Sequence, residues 1–405
     1  MLSNLTLVIP TCRRPDSLRR LLDFLERKKV DCRILVLDSG EPAAVARNRA
    51  AIAAAKLAIE HVEYAVDIQP SEKLRLGSGR ISTPFATLCE DNDFVLPAGL
   101  QACLQKLRHD PLAAAVQGHC LIFQDGPNGQ FDLMDARSAV PGIKGKNPLA
   151  RLVEKFRFHQ EIDYGLYRTD VLRDLLDREV GVESRLGRAL ISSALTAIAG
   201  NILNVDQFSH TRNIGSPAGN DREHALECFA RDAAGVFVEY ASCRGMLRDA
   251  ILSRSDNRYD AASIEHVLDL IHLTYLTTSA PPDVVRFMME QELVGVPFAT
   301  YWSDDRVQIP LQDAGVADQP RRSAITRLIG SMGGPIRAKV SDRSGHLFAN
   351  TNVRRGDRYY RIHQGFADWC NNRYGSNARA AAETMMVQLD LFALDGAKPA
   401  RMTTA

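Results

Sequence analysis

The sequence predicts an α/β fold, a mostly parallel sheet flanked by helices and followed by a mainly α-helical C-terminal region. Residues 5–10 (LTLVIP) and 32–38 (CRILVLD) are short runs rich in aliphatic residues with little polar alternation, as expected of strands covered on both faces. Between them Leu18, Leu21, Leu22 and Leu25 recur at helical spacing. Strand, helix and strand in so short a span is the pattern of a parallel crossover, which places ligands at the carboxyl ends of the strands. Beyond residue 221 the character changes, with helical spacing over 223–234, 238–253, 261–278 and 282–292. The expected division is residues 1–220 for the α/β domain and 221–405 for the helical one.

Taken in order, the first strand ends in a loop, Thr11-Cys12-Arg13-Arg14-Pro15-Asp16, and the second in Asp38-Ser39-Gly40. Residues 43–58 are alanine-rich and read as a helix, and 62–66 as a third strand. Lys73, Arg75 and Arg80 surround Gly77-Ser78-Gly79; this is either a flexible basic loop that meets a diphosphate or a solvated turn. Residues 100–107 suggest a helix and 113–123 a strand. Residues 124–145, rich in Gly, Pro, Asn and Asp, predict a long surface excursion. Acids and aromatics mix over 159–168, which suits sugar recognition or a domain seam. Glu183 precedes a long apolar helix that ends at Gly200, and residues 205–212 form a short strand carrying His210 and Arg212.

The densest chemical signal is Glu90-Asp91-Asn92-Asp93, set between Leu88-Cys89 and Phe94-Val95-Leu96. Three carboxylates within four residues repel one another in an apolar setting unless a cation neutralises them. One or two carboxylates plus phosphate oxygens is how proteins commonly hold Mg²⁺, so the stretch reads as a strand end presenting Mg²⁺ or Mn²⁺ to a diphosphate. A solvated loop is the other reading of so short a motif.

A chain of 405 residues and net charge +1 has room for a large core and no overall charge to suggest nucleic acid as a partner. Its eight cysteines are scattered with no zinc-like spacing, which predicts free thiols in a reducing cytoplasm. With a strand-like run close to the first residue and no long apolar segment, neither a leader nor a membrane span is expected, though peripheral contact with the inner face of a membrane is compatible. Cationic groups at Arg321-Arg322, Arg337 with Lys339, and Arg354-Arg355 with Arg358 would be solvated faces or meet an acidic acceptor or lipid headgroup.

As an ordered set, Leu7-Val8-Ile9-Pro10-Thr11 with Arg13-Arg14-Pro15, Leu35-Val36-Leu37-Asp38-Ser39, and Thr83-Pro84-Phe85 followed by Asp91-Asn92-Asp93-Phe94 resemble bacterial family 2-like glycosyltransferases of the GT-A fold. The resemblance covers roughly the first half of the chain, and no single motif in it is specific. It implies a metal-assisted, inverting transfer of a sugar from a nucleotide-sugar to a glycan, lipid-linked or protein acceptor. On matching positions Pro10, Thr11 and Arg13 would face the nucleotide, and Asp38 its base or ribose. Asp93 would be the direct metal ligand, Asp91 would lie near the ribose or metal water, and His210 would complete the metal shell. Lys73, Arg80 and Arg212 would meet the diphosphate. An inverting transfer needs a base for the acceptor hydroxyl; Glu183 leads, with Asp163 and then Glu161 behind it, while an ordinary acid at a helix N-terminus is the plain alternative for Glu183.

Two other classes compete. A nucleotidyltransferase acting on a sugar phosphate would also pair acids with a basic loop, but would carry a glycine-rich turn where this chain has Thr11-Cys12-Arg13-Arg14-Pro15. A non-catalytic GT-A-like scaffold would not need Asp38, Asp91, Asp93 and Glu183 together. The helical half is expected to select the acceptor or to mediate self-association.

Overall fold

The structure, a computed structural model, describes residues 2–125, 131–137, 142–145, 147–157, 162, 165–182, 185–213, 233–255, 259–265 and 267–268. Its strands are β1 (Leu5–Thr11), β2 (Arg33–Asp38), β3 (Ile59–Glu63), β4 (Phe85–Leu88), β5 (Phe94–Val95), β6 (Ala113–Asp125), β7 (Phe131–Arg137), β8 (Leu166–Arg168) and β9 (Asn201–Asn213). The helices are α1 (Pro15–Arg27), α2 (Pro42–Ala54), α3 (Pro70–Ser78), α4 (Pro97–His109), α5 (Pro148–Arg157), α6 (Thr169–Glu179), α7 (Arg185–Ala199) and α8 (Ala233–Leu252).

The nine strands form one mixed sheet in the order β3-β2-β1-β4-β8-β6-β9-β5, with β7 paired to β6. β1 to β4 are mutually parallel where they pair, β8 runs against both β4 and β6, and β9 is parallel to β6. The carboxyl ends of β1, β2, β4, β6 and β9 therefore lie along one edge. Strand alternation sends Leu7 and Ile9 to one face, where they join Leu18, Leu21 and Leu25 of α1 and Leu100 and Leu104 of α4. Val8, Leu35 and Leu37 go to the other face with Leu172, Leu175 and Leu176 of α6. Burial on both faces explains why these strands lack polar alternation.

Each of α1 to α4 begins at a proline. Proline at the first helical position loses no hydrogen bond and presets the backbone angle, so it stops the preceding extended segment and starts the helix.

Several expectations need correction. The third strand lies at 59–63 rather than 62–66, and α2 stops at Ala54. The 73–80 segment is no loop: most of it is α3, and Gly77 is needed for packing, since a Cβ there would come 2.3 Å from Leu37 Cδ1. Residues expected as a surface excursion instead continue β6 and supply β7, which pair antiparallel. On the far side of the boundary expected at residue 220, Cys243, Ala250, Ile251, Tyr259, Ile264 and Val267 share one apolar cluster with Leu149 and Leu152 of α5 and with Ile191, Leu195 and Ile198 of α7. The remaining helical segments expected after residue 268, and the cationic groups among them, lie outside the described residues. Among the described residues no helix is long and apolar enough to cross a membrane, and the six described cysteines are free thiols.

Two predictions follow from this packing. Gly99 at the start of α4 faces the backbone of β9, where a Cβ would come 2.1 Å from Phe208 O. Backbone cannot swing aside as a side chain can, so Gly99→Ala should destabilise by about 1–3 kcal/mol in urea unfolding, more than Gly77→Ala. A chain cut after residue 220 should melt well below one cut after residue 278, because only the former strips the partners from the α5–α7 apolar face.

Candidate functional site

The site starts from the register of two strands. β1 and β2 end side by side, Thr11 paired with Asp38, so the loops after them open at one place on the carboxyl edge. Lys73, in the first turns of α3, reaches under both loops, where its Nζ donates to Thr11 O at 2.9 Å and to Ser39 Oγ at 2.8 Å. The lysine is buried, and desolvation, only partly offset by Cys12, Asp38 and Asp91, lowers its pKa.

Asp91 closes the network from the turn after β4. It is fully buried; Thr11 Oγ1 donates to its Oδ2 at 2.6 Å, and Arg14 Nε lies 3.0 Å from its Oδ1. Arg14 extends to Glu90 at 3.8 Å. Burial pushes the Asp91 carboxyl up to about 6, against the opposing pull of Arg14, the Thr11 hydroxyl and Lys73. Asp38 is equally buried, its Oδ1 accepting from Gly40 N at 2.8 Å and its Oδ2 from Asn48 Nδ2 at 2.9 Å and His61 Nε2 at 3.1 Å. Asp38, Lys73 and Asp91 are thus buried close together beneath the carboxyl ends of β1 and β2.

The D-x-D turn itself is tight, with Asp93 N donating to Glu90 O at 3.1 Å. Strand β9 holds its far side: Asn213 N donates to Asp93 Oδ1 at 2.5 Å and Thr211 Oγ1 accepts from Phe94 N at 3.1 Å. Asn92 Oδ1 is buried between the two acids with no hydrogen-bond partner. His210 is buried on β9, its Nδ1 3.0 Å from Ser209 Oγ.

Not every expected site residue converges. Pro10 lies in β1 opposite Leu37, and Arg13 takes a left-handed backbone (φ 58°) with an exposed side chain 3.6 Å from Glu41. Arg80 is turned away from the Lys73 network: it pairs with Glu60 at 2.6 Å, and Glu60 lies opposite Leu35, three residues before the end of β2. Arg212 lies at the end of β9, opposite Ile122 of β6. Glu183, Asp163 and Glu161 lie outside the described residues.

Asn48, His61 and Asn213 escaped sequence reasoning, because each acts on a partner distant in sequence. Glu179 is a further acid of this kind. Arg173 of α6 donates to Ser78 O at the end of α3, and Glu179, the last residue of α6, is buried. Burial pushes its carboxyl up to about 7 although Ser192 hydrogen-bonds it.

Among the described residues no three His, Cys, Asp or Glu side chains converge as a metal cage. Mg²⁺ or Mn²⁺ does not require one when phosphate oxygens supply the remaining ligands. The orphaned amide oxygen of Asn92 shows that the turn holds acceptor capacity no described residue uses. Of the two acids, Asp91 meets Thr11 Oγ1 at Oδ2 and the Arg14 guanidinium at Oδ1, and Asp93 accepts from Asn213 N at Oδ1.

No protein-family profile and no curated protein matches the sequence. Among solved structures the chain is similar to S. aureus TarS 1–349 in complex with UDP-GlcNAc, at 12% identity and TM-score 0.46, over 91% of this chain and 92% of that one. Another S. aureus TarS structure gives 13% identity and TM-score 0.43 over 90% of this chain, and this chain spans only 55% of that one. The mannosyltransferase PcManGT from Pyrobaculum calidifontis, in complex with GDP-Man and Mn²⁺, gives 13% identity and TM-score 0.39 over 78% and 87%. The strand order itself is that of an α/β fold: parallel β3-β2-β1-β4, with the D-x-D turn leaving β4 and an antiparallel β8 joining that half to β6.

The state of Asp91 sets a pH dependence. A folded pKa of about 6, above the ordinary 3.8, means that the group's stabilising contribution is complete below the unfolded value and is lost as pH rises through 6. In EDTA, Asp91→Asn should gain stability relative to the parent between pH 4 and pH 7, by about 1–3 kcal/mol in urea unfolding. Glu179, which acts in the same sense, is common to both proteins.

Proposed function

We propose that this chain is a nucleotide-sugar-dependent glycosyltransferase that moves a sugar, with inversion, to a hydroxyl of a glycan, lipid-linked or protein acceptor. One observation carries the reading: a buried Thr11–Lys73–Asp91–Arg14 network sits beside Asp38 where parallel strands end, and Asp93 borders it. Ligands of open α/β sheets bind at such an edge.

In this reading the Ser39-Gly40 turn beside Asp38 receives the base or ribose, and Asp38 shapes that turn through its bond from Gly40 N. Asp93 holds a divalent ion, which when bound supplies Lewis-acid stabilisation to the leaving diphosphate. Arg14 and Lys73 contribute positive charge to the site. Arg13, in the loop after β1, is proposed to meet the nucleotide and Arg212, near the end of β9, the diphosphate, and His210 is the further metal residue proposed on β9. Glu183 is proposed as the base for the acceptor hydroxyl, with Asp163 second. Glu179 joins them on its burial and its place at the end of α6, since a carboxyl near 7 is suited to taking a proton at neutral pH. Residues 221–405 are proposed to select the acceptor or to pair chains.

A thermal-shift panel of UDP, GDP, dTDP, CDP and CMP with and without Mn²⁺ tests this, because a ligand that binds only the folded state raises Tm. At least one nucleotide should give a shift that grows with Mn²⁺. Asp93→Ala should lose the Mn²⁺-dependent part and keep the rest; a panel with no shift at all would sink the donor-site reading.

A further inference from the structure

Beyond the Thr11–Lys73–Asp91 network, a second polar chain runs to Asp93 from the opposite side of the sheet edge. Asn213, whose backbone N–H holds Asp93 Oδ1 at 2.5 Å, donates from its side-chain Nδ2 to Asp125 Oδ2 at 2.9 Å. The other oxygen of Asp125 accepts from Arg20 Nη1 at 2.9 Å. Arg20 belongs to α1 and also lies over the ring of Phe94, 5.7 Å from its centroid, next in sequence to Asp93. α1 and the end of β9 thus meet on the Asp125 carboxylate at the tip of β6, and Asn213 of β9 carries the chain on to Asp93.

The geometry points to Arg20, Asp125 and Asn213 as positioning residues that orient Asp93 for the divalent ion. The inference rests on the donor-site reading above and deepens it. β5 is only two residues long and cannot fix the carboxylate by its own pairing. Asn213 touches Asp93 through its backbone N–H, and it is held in turn by Asp125, whose charge Arg20 balances. Partners that hold a ligating carboxylate commonly change metal affinity by about ten- to a hundredfold on mutation. A plain tie between α1 and β6 would stabilise the fold without touching metal affinity, and that difference is measurable.

The experiment is a Mn²⁺ titration followed by electron paramagnetic resonance, on the full chain saturated with whichever nucleotide gives the largest Mn²⁺-dependent shift in the panel. Asp125→Ala should raise the Mn²⁺ Kd about tenfold or more, while nucleotide binding in EDTA stays as in the parent. Asp125→Asn keeps an acceptor for Asn213 but turns an amide toward Arg20, and should lose less; it and Arg20→Lys carry the test if the alanine variant fails to fold. A lowered Tm with an unchanged Mn²⁺ Kd in these variants would make the chain a structural tie and overturn the inference. If the parent protein shows no Mn²⁺-dependent nucleotide binding, the donor-site reading falls first and this inference with it.

Discussion

The constraint on which the site depends is the burial of the Asp91 carboxyl. A carboxylate removed from water costs several kcal/mol unless it is partnered, and its nearest partners come from β1, through Thr11, and from the loop after it, through Arg14. Thr11 is in turn tied by its carbonyl to Lys73, and Lys73 to Ser39 after β2. One unfavourable charge therefore recruits the ends of two strands, the first turns of α3 and the turn after β4 into a single arrangement. Burial still wins over the partners in part, since the carboxyl stays above its ordinary range.

What was legible in the sequence was what depends on near neighbours. Aliphatic runs marked β1, β2 and β6 because both faces of the sheet are covered. The prolines at 15, 42, 70 and 97 each open a helix, a local signal that for α3 competes with the glycines after it. Gly77 was misread as flexibility because glycine has two uses, and the relevant one here, room for Leu37, lies forty residues away on β2. Asp91 and Asp93 stood out as a pair, yet their different roles follow from Thr11 and Arg14 on one side and Asn213 on the other. His61 and Asn48 gave no local sign, since each is defined by its bond to Asp38. The two-residue β5 and three-residue β8 are too short to carry any periodicity.

The contacts that set Asp93 apart from Asp91 come from β9. Between Gln117 and Cys120 of β6 the partner strand takes up three extra residues, moving from Asn204 to His210. Bulges of this kind bend a strand and re-aim the side chains beyond them. Because the shift is odd, every residue after it stands on the face opposite to the one an unbroken strand would give it. The segment from His210 to Asn213 therefore owes its orientation to the bulge, and with it the contacts that Thr211 makes to Phe94 and Asn213 makes to Asp93. Gly118 sits opposite the bulge, where a Cβ would come 2.3 Å from Gln207 O. The irregular stretch of β9 is thus coupled to the D-x-D turn as directly as the acids themselves: Asp91 is anchored by the first strand, and Asp93 is aimed by the last.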